Sequence, residues 1–545
     1  LANDDVTIGG TEIALGATAT TISGLTSLVS NSLQAFTEGQ TNSITIGSGK
    51  ITFEGASLLS EDKKHDVQFY LFDPPLKLGD TIKAIIENKF KTRGFSNSGE
   101  STGIVKNGTF LNNYEILPSL GYSSEKELSD RNKRKKYNLP PKERMPKLKL
   151  DCKDDCTKNY LTQGLSDFIN VETIISTSKD QIAIAPGSLI DNWEENSRNY
   201  FKYKVDHPSQ NFYSFISADY KVERKKWNDV DIEIYYDKKH SVNIDKMVTA
   251  VERSLEYYTK NFGPYTHKQC RIIEFPRFST FAQAFPGTMP YSEAFGFVID
   301  LEDEEKNNVI DAVIAHEIAH QWWAHQLVGA NMQGATLLSE SFSEYSSLMT
   351  MKSIAKTPMA MREFIKYDHD RYLRGRSGEV EKELPLFKVE NQSYIHYGKG
   401  SVILYALQDY IGEDKVNEAL KEFLDKYKYS NYYPTSLDFL NVLEKKVPDS
   451  LNYLIDDWFK EITIYDNRLK TAEAKKLENG KYEITIELES KKIRADSIGN
   501  EKSVQLNEWV DIGFFTDKDE KELIGQKRIK IVENTSKLSF QLDSL

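Results

Sequence analysis

The run His316-Glu-Ile-Ala-His320, set inside the apolar stretch from Val309 to Trp323, constrains the fold of this 545-residue chain more than any other feature. A stretch apolar on nearly every side has to be buried, and polar rings inside it have to be engaged. Read as a helix, it places positions four apart about 40° from each other and one turn along the axis. His316 and His320 therefore share a face, with Glu317 beside them. A zinc ion that does chemistry takes three protein ligands and leaves a fourth position open. Two His with an intervening Glu is also the spacing in which that Glu serves as general base. The segment predicts a centre for one Zn2+ ion and hydrolytic chemistry, with His316 and His320 as ligands.

The third ligand has three candidates. His325 lies nine residues after His316, roughly 180° round the same helix, and reads as a packing residue or an outer partner. The others sit in Leu-Leu-Ser-Glu340-Ser-Phe-Ser-Glu344-Tyr, which reads as a second helix with both acids on one face. The economical assignment makes Glu340 the ligand. Glu344, one turn on, then hydrogen-bonds the far nitrogen of His316 and holds its tautomer.

Composition narrows the remaining possibilities. The net charge is −12, with both signs mixed along the chain, so the chain lacks the basic face that nucleic-acid binding needs. No run approaches the eighteen or more apolar residues of a membrane span, so this chain itself reads as soluble. Three Cys exclude a disulfide framework, although Cys152 and Cys156 are spaced for a small local bridge. The chain starts with Leu, without Met or a signal peptide, and reads as a fragment or processed product.

Four parts follow from the patterning. Residues 1–48 contain no Lys or Arg and are rich in Thr, Gly, Ser and Ala; they read as a β-like segment of unknown role. Residues 49–236 are strand-like, ending in the alternating Val230-Asp-Ile-Glu-Ile-Tyr-Tyr236. Within them the charged, Pro-containing span 123–158 reads as a surface insertion. Residues 237–470 turn helical, with an amphipathic helix from Ile244 to Asn261 that stops at Gly263-Pro264. A helix from Ser436 opens after Thr435 with Asp438 three on, an approximate capping box. Residues 471–545 alternate again and predict a small antiparallel β-domain.

At these residues the chain resembles a known family. His316-Glu-x-x-His320-Gln-Trp-Trp, a Glu some twenty residues on, and Tyr397-Gly-Lys-Gly are similar to the gluzincin aminopeptidases related to aminopeptidase N. Gln321-Trp-Trp-Ala-His-Gln-Leu-Val-Gly-Ala-Asn together with Arg371-Tyr-Leu-Arg-Gly-Arg resembles a bacterial branch in which the peptidase is fused to an ABC-transporter-type permease. The resemblance implies an α+β multidomain fold: a β saddle domain, a thermolysin-like α/β catalytic domain and a C-terminal β-sandwich. It implies a zinc-dependent metallopeptidase acting on peptide substrates, as an aminopeptidase, on the extracytoplasmic face of a bacterial membrane as part of a longer membrane protein. By the same resemblance Tyr397 donates a hydrogen bond to the tetrahedral intermediate, and Glu293 binds the substrate's free amino terminus. Gly287 and Met289, from the altered motif Gly287-Thr-Met-Pro-Tyr-Ser-Glu293-Ala-Phe-Gly296, join it in substrate binding. That altered motif keeps open an endopeptidase or narrow-specificity peptidase; the link to a permease keeps open a non-catalytic, peptide-sensing domain. The interval from His320 to Glu340 is one residue longer than the family's usual spacing and predicts an insertion in the connecting loop. His396 reads as a pocket-lining, surface or core residue. Arg371, Arg374 and Arg376 read as a carboxylate-holding set or as a solvated basic turn.

Overall fold

A computed structural model describes residues 5–8, 11–14, 43–45 and, from 50 onward, all but 65–66, 78, 88–102, 106, 121–126, 153–154, 164–165, 300–307, 517–521 and 544–545. The alternating pieces near the start form short strands. Asp5–Ile8 pairs with Thr11–Ala14, and Ser43–Thr45 pairs with both Val67–Phe72 and Ser119–Leu120. Strand Ser43–Thr45 thus joins a sheet whose other members lie beyond residue 48; the rest of the Thr/Gly/Ser-rich segment falls outside the described residues. Antiparallel strands continue with Glu172–Ser178, Ser188–Glu195 and Arg198–Lys204 in one sheet, and with Thr109–Asn112, Ile182–Ile184 and Ser214–Ala218 in another.

The span 123–158 is not a free surface insertion. Cys152 and Cys156 form a disulfide, and Cys156 is fully buried in a cluster with Val328, Met332 and Tyr433. Backbone bonds from Tyr433 N to Cys156 O (2.7 Å) and from Gln333 N to Pro146 O (2.8 Å) tie it to the helical part. Arg144 adds a paired contact to Glu379. Arg144 pairs with distant Glu379 and Glu381, whereas Lys147 pairs locally with Glu143 and is exposed.

The site rests on a four-stranded sheet, in the order Lys221–Trp227, Val230–Tyr236, Gln269–Phe275 and Thr288–Ser292. The last three run parallel, so the first two of them need a crossover between them, and helix Ile244–Phe262 supplies it. This helix buries Met247, Val251, Leu255, Tyr258 and Phe262 and stops at Gly263, whose φ of 122° a residue with a Cβ rarely adopts. On the free side of Thr288–Ser292 the chain doubles back, with antiparallel bridges Ala282↔Tyr291 and Phe285↔Thr288. Residues 281–285 therefore form the outer edge of the sheet.

The motif helix is shorter than its apolar run predicts: it spans Asn308–Ala319, not Val309 to Trp323. Trp322 and Trp323 are buried in different directions. Trp322 Nε1 donates to Gly263 O and Trp323 Nε1 to Ser346 Oγ, with rings against Tyr258 and against Phe262 and Phe342. Backbone bonds from Gln321 N to Ile318 O (3.0 Å) and from Trp322 N to Ala319 O (2.9 Å) tighten the turn after His320. His325 is accordingly not on the motif helix.

Helices Phe342–Ile354, Arg362–Ser377, Gly400–Ile411, Glu413–Tyr427 and Ser436–Leu443 complete the helical part. The last opens with the predicted capping box, Thr435 and Asp438 each bonding the other's backbone N–H. Strand Ile462–Lys476 pairs with Tyr482–Ala495 and begins before residue 471. Its first residues, Ile462 and Thr463, are buried, where the exposed pattern further on gives a later start. Two antiparallel sheets follow, sharing a small core of Ile484, Ile486, Phe514 and Leu542. The architecture is mixed α/β and multidomain, β-rich at the start and helical around the motif. Among the described residues no helix is long and apolar enough to cross a membrane.

Candidate metal centre

His316 projects from the last turn of the motif helix, and His320 follows directly after Ala319. Their Nε2 atoms are 3.1 Å apart, and each lies 3.4 Å from Glu340 Oε2. A tetrahedral zinc with nitrogen and oxygen ligands at about 2.0–2.1 Å keeps those ligand atoms about 3.3 Å from one another. The triangle in the structure has these dimensions. Glu340 Oε2 is buried and has no hydrogen-bond partner, a costly state unless another group satisfies it. The donor set thus fits the ion the fold implies.

Glu340 is carried by a π-helical turn, Leu337–Ser341, that runs into helix Phe342–Ile354. A π turn closes one more residue than an α turn. A second π turn, Tyr394–Lys399, carries Tyr397. Both candidate residues thus sit where helical regularity is broken.

The surroundings fix the two imidazoles. Glu344 Oε2 approaches His316 Nδ1 at ion-pair distance, 2.6 Å. His320 Nδ1 lies 3.0 Å from Ser343 Oγ and 3.1 Å from Trp323 O. Both contacts leave Nε2 facing the centre. Ser343 and the Trp323 carbonyl escaped sequence reasoning, because a hydroxyl and a backbone oxygen carry no pattern. So did Tyr160, from the β-rich part, whose hydroxyl donates to Ser339 Oγ at 2.7 Å next to Glu340. The spacing of Ser343 three residues after Glu340 was the one available signal.

Electrostatics follow from burial. Glu317 is held above the ordinary glutamate value, chiefly by burial, with His316 and His320 pulling the other way. Burial and the Glu340 carboxylate beside it raise the Tyr397 hydroxyl, which stays protonated. The Tyr397 ring lies 5.6 Å from that of His316 and 4.3 Å from that of His396. Burial pushes His396 down to about 4 and His325 likewise to about 4. Both are neutral at pH 7. His325 Nε2 meets Ala284 O at 3.0 Å, and the burial of His396 rules out the surface for that residue.

The structure gathers His316, Glu317, His320, Glu340, Glu344 and Tyr397. Of the remaining expected residues, Arg371 lies over the Tyr397 ring, and the others have partners of their own. Glu293 follows strand Thr288–Ser292 and accepts from Arg277 N at 3.1 Å. Its carboxylate groups with His240 and Glu274. Among the described residues no hydrogen bond or ion pair joins it to His316, His320 or Glu340. Gly287 N donates to Gln321 Oε1 at 2.9 Å, and buried Met289 has its sulfur 3.8 Å from Gln321 Nε2. These two underlie the end of the motif. Arg371, Arg374 and Arg376 lie on helix Arg362–Ser377, not in a turn. Arg376 is bound to Glu383 and Glu501.

Residues 247–458 match the Peptidase family M1 domain. That segment holds the whole gathered group. Tricorn protease-interacting factor F2 of Thermoplasma volcanium is 29% identical over 247 residues, which cover 44% of this chain and 30% of that protein. Leucyl aminopeptidase of Saccharolobus solfataricus is 26% identical over 212 residues, covering 38% and 27%. The match therefore spans less than a third of either relative. Among solved structures, Legionella pneumophila aminopeptidase A in complex with aspartic acid is similar in fold, with a TM-score of 0.53 at 12% identity. It covers 92% of this chain and 52% of that one. The M1 match and these relatives support the aminopeptidase N-like family.

Proposed function

We propose that this protein is a zinc-dependent metallopeptidase of the aminopeptidase type. The observation that carries the reading is the triangle of His316 Nε2, His320 Nε2 and the unpartnered Glu340 Oε2. The M1 match over the same residues supports it. One zinc ion held by these three supplies Lewis acidity towards water and towards the peptide carbonyl oxygen. Glu317 takes the proton from the attacking water and returns it to the leaving amine; its burial makes it a stronger base than an exposed glutamate. Tyr397 donates to the oxygen on which negative charge develops. Glu344 and Ser343 hold the imidazoles in orientation.

In the aminopeptidase reading, Glu293 anchors the substrate's amino terminus, with Gly287 and Met289 supporting the strand that leads to it. A second reading, an endopeptidase or narrow-specificity peptidase, is favoured by one observation. The Glu293 carboxylate is already engaged by Arg277 N and packed with Glu274 and His240. Zinc-loaded protein assayed on amino-acid amide reporters and on blocked internal peptides separates the two. Turnover of the reporters alone supports the aminopeptidase, turnover of blocked peptides supports the second reading, and turnover of neither removes both. We also propose the division into a β-like segment (1–48), a saddle (49–236), a thermolysin-like domain (237–470) and a β-sandwich (471–545), with the first and last boundaries moved so that strands Ser43–Thr45 and Ile462–Lys476 stay whole. Attachment to a membrane permease and an extracytoplasmic position complete the reading. They rest on the resemblance of 321–331 and 371–376 to the permease-linked branch.

A further inference from the structure

Of the three arginines on helix Arg362–Ser377, two are occupied or turned away. Arg376 Nε contacts Glu383 Oε2 at 2.8 Å and its NH2 contacts Glu501. Arg374 is exposed and donates to the backbone oxygen of Asp370. Arg371 differs from both. Its guanidinium lies over the Tyr397 ring, 4.4 Å from the centroid. Among the described residues it makes no hydrogen bond or ion pair.

That placement is built in. A Cβ on Gly398 would come within 2.9 Å of Asp368 O and Tyr372 N, and one on Gly375 within 2.2 Å of the Tyr394 side chain. The π turn bearing Tyr397 and the helix bearing Arg371 therefore meet at a distance only glycine allows, on both sides of the Arg371–Tyr397 pair. Stacking on a ring uses the face of a guanidinium and leaves the N–H donors along its edge free. Those donors suit a carboxylate, which a planar fork can bind through two parallel bonds.

We infer that Arg371 recognises a carboxylate on the peptide substrate, within about two residues of the bond presented to Tyr397. The inference rests on the metallopeptidase reading above. One residue of extended peptide spans at most about 3.3–3.6 Å, so a group one or two residues from that bond reaches across the Tyr397 ring. The Glu340 and Glu317 carboxylates act on Tyr397, and buried Asp368, which accepts from Ser401 Oγ at 3.0 Å, lies on the same helix as Arg371. Arg371 therefore offers a substrate carboxylate a cation in addition to the proposed zinc. The carboxylate belongs either to the peptide's own C-terminus or to an acidic side chain.

The test uses full-length, zinc-loaded protein carrying Glu317→Gln, so that binding is read without turnover. Three matched tripeptides are titrated by calorimetry: one with a free C-terminal carboxylate, one with a C-terminal amide, and one amide with Glu as its second residue. Adding Arg371→Gln is expected to weaken one carboxylate-bearing peptide, or both, by roughly 10- to 100-fold. The neutral amide should change by less than about threefold, and Arg371→Lys should fall between. Whichever arm weakens identifies the source of the carboxylate. Equal weakening of all three peptides, or no weakening of any, overturns the inference. Failure of the parent protein to hydrolyse peptides would count against the peptidase reading alone, because binding is measured separately.

Discussion

Two groups of imidazole and carboxylate side chains can be set side by side. His316, His320 and Glu340 meet between a helix end and a π turn; His240, Glu274 and Glu293 meet at the C-terminal ends of three parallel strands. Both bring their donor atoms within 4.8 Å of one another. They differ in how those atoms are satisfied. In the strand-end group, Glu274 takes Asp237 N on one oxygen, at 2.6 Å, and His240 Nδ1 on the other, while Glu293 takes Arg277 N. In the helix-end group, Glu340 Oε2 is buried with no hydrogen bond, and the imidazoles are held from behind so that Nε2 points inward. One group closes on itself; the other turns a carboxylate oxygen without a hydrogen bond and two Nε2 atoms towards one point. Proximity of ligating side chains is therefore a weaker sign of a metal than unsatisfied donors supported from outside.

The comparison can be broken most decisively by zinc stoichiometry. His320→Ala should take zinc from one equivalent per chain to near zero by elemental analysis, whereas His240→Ala should leave it at one. Loss of zinc from both variants would erase the distinction. Next in size, Glu317→Gln should keep zinc and lose about 10²–10⁴ in kcat. In the parent protein, activity requires ionised Glu317. It should be present above the pKa of that residue and fall as pH drops through it. Tyr397→Phe should cost about 10²–10³ in kcat with little change in zinc content; a purely packing Tyr397 would show normal turnover instead. Glu344→Ala should weaken zinc by about 10–100-fold, measured by chelator competition, because the metal site keeps its donors but loses an orienting contact. Glu274→Gln sharpens the contrast from the other side. It should destabilise the fold by about 1–3 kcal/mol in denaturant titration, since it disrupts buried hydrogen bonds, and leave zinc unchanged.

Much of the helix-end group was legible in advance because its geometry is local. The i, i+4 relation of His316 and His320 needs only one helical turn, and the separation of Glu340 and Glu344 needs only another. What escaped was every partner whose identity is not encoded by spacing: the Ser343 hydroxyl, the Trp323 carbonyl and Tyr160. The place of Glu293 was harder still. Its sequence neighbourhood aligns it with a substrate-binding acid, whereas its surroundings depend on where His240 and Glu274 arrive from other strands. Charge misled in the span 123–158. Local composition reads exposed charge and paired charge alike, and only contacts hundreds of residues away, such as Arg144 with Glu379, separate them.

The amino-acid order by itself determined that two imidazoles share a helical face with an acid between them, that a capped helix starts at Thr435, and that the chain ends in alternating strands, since each depends on backbone periods of one turn or one pleat. Only the tertiary structure decided where the motif helix stops, which carboxylate stands 3.4 Å from both imidazoles, and which arginine lies over Tyr397. Those outcomes depend on burial of Trp322 and Trp323 and on glycine-close packing of distant segments, and packing is settled by the whole core at once.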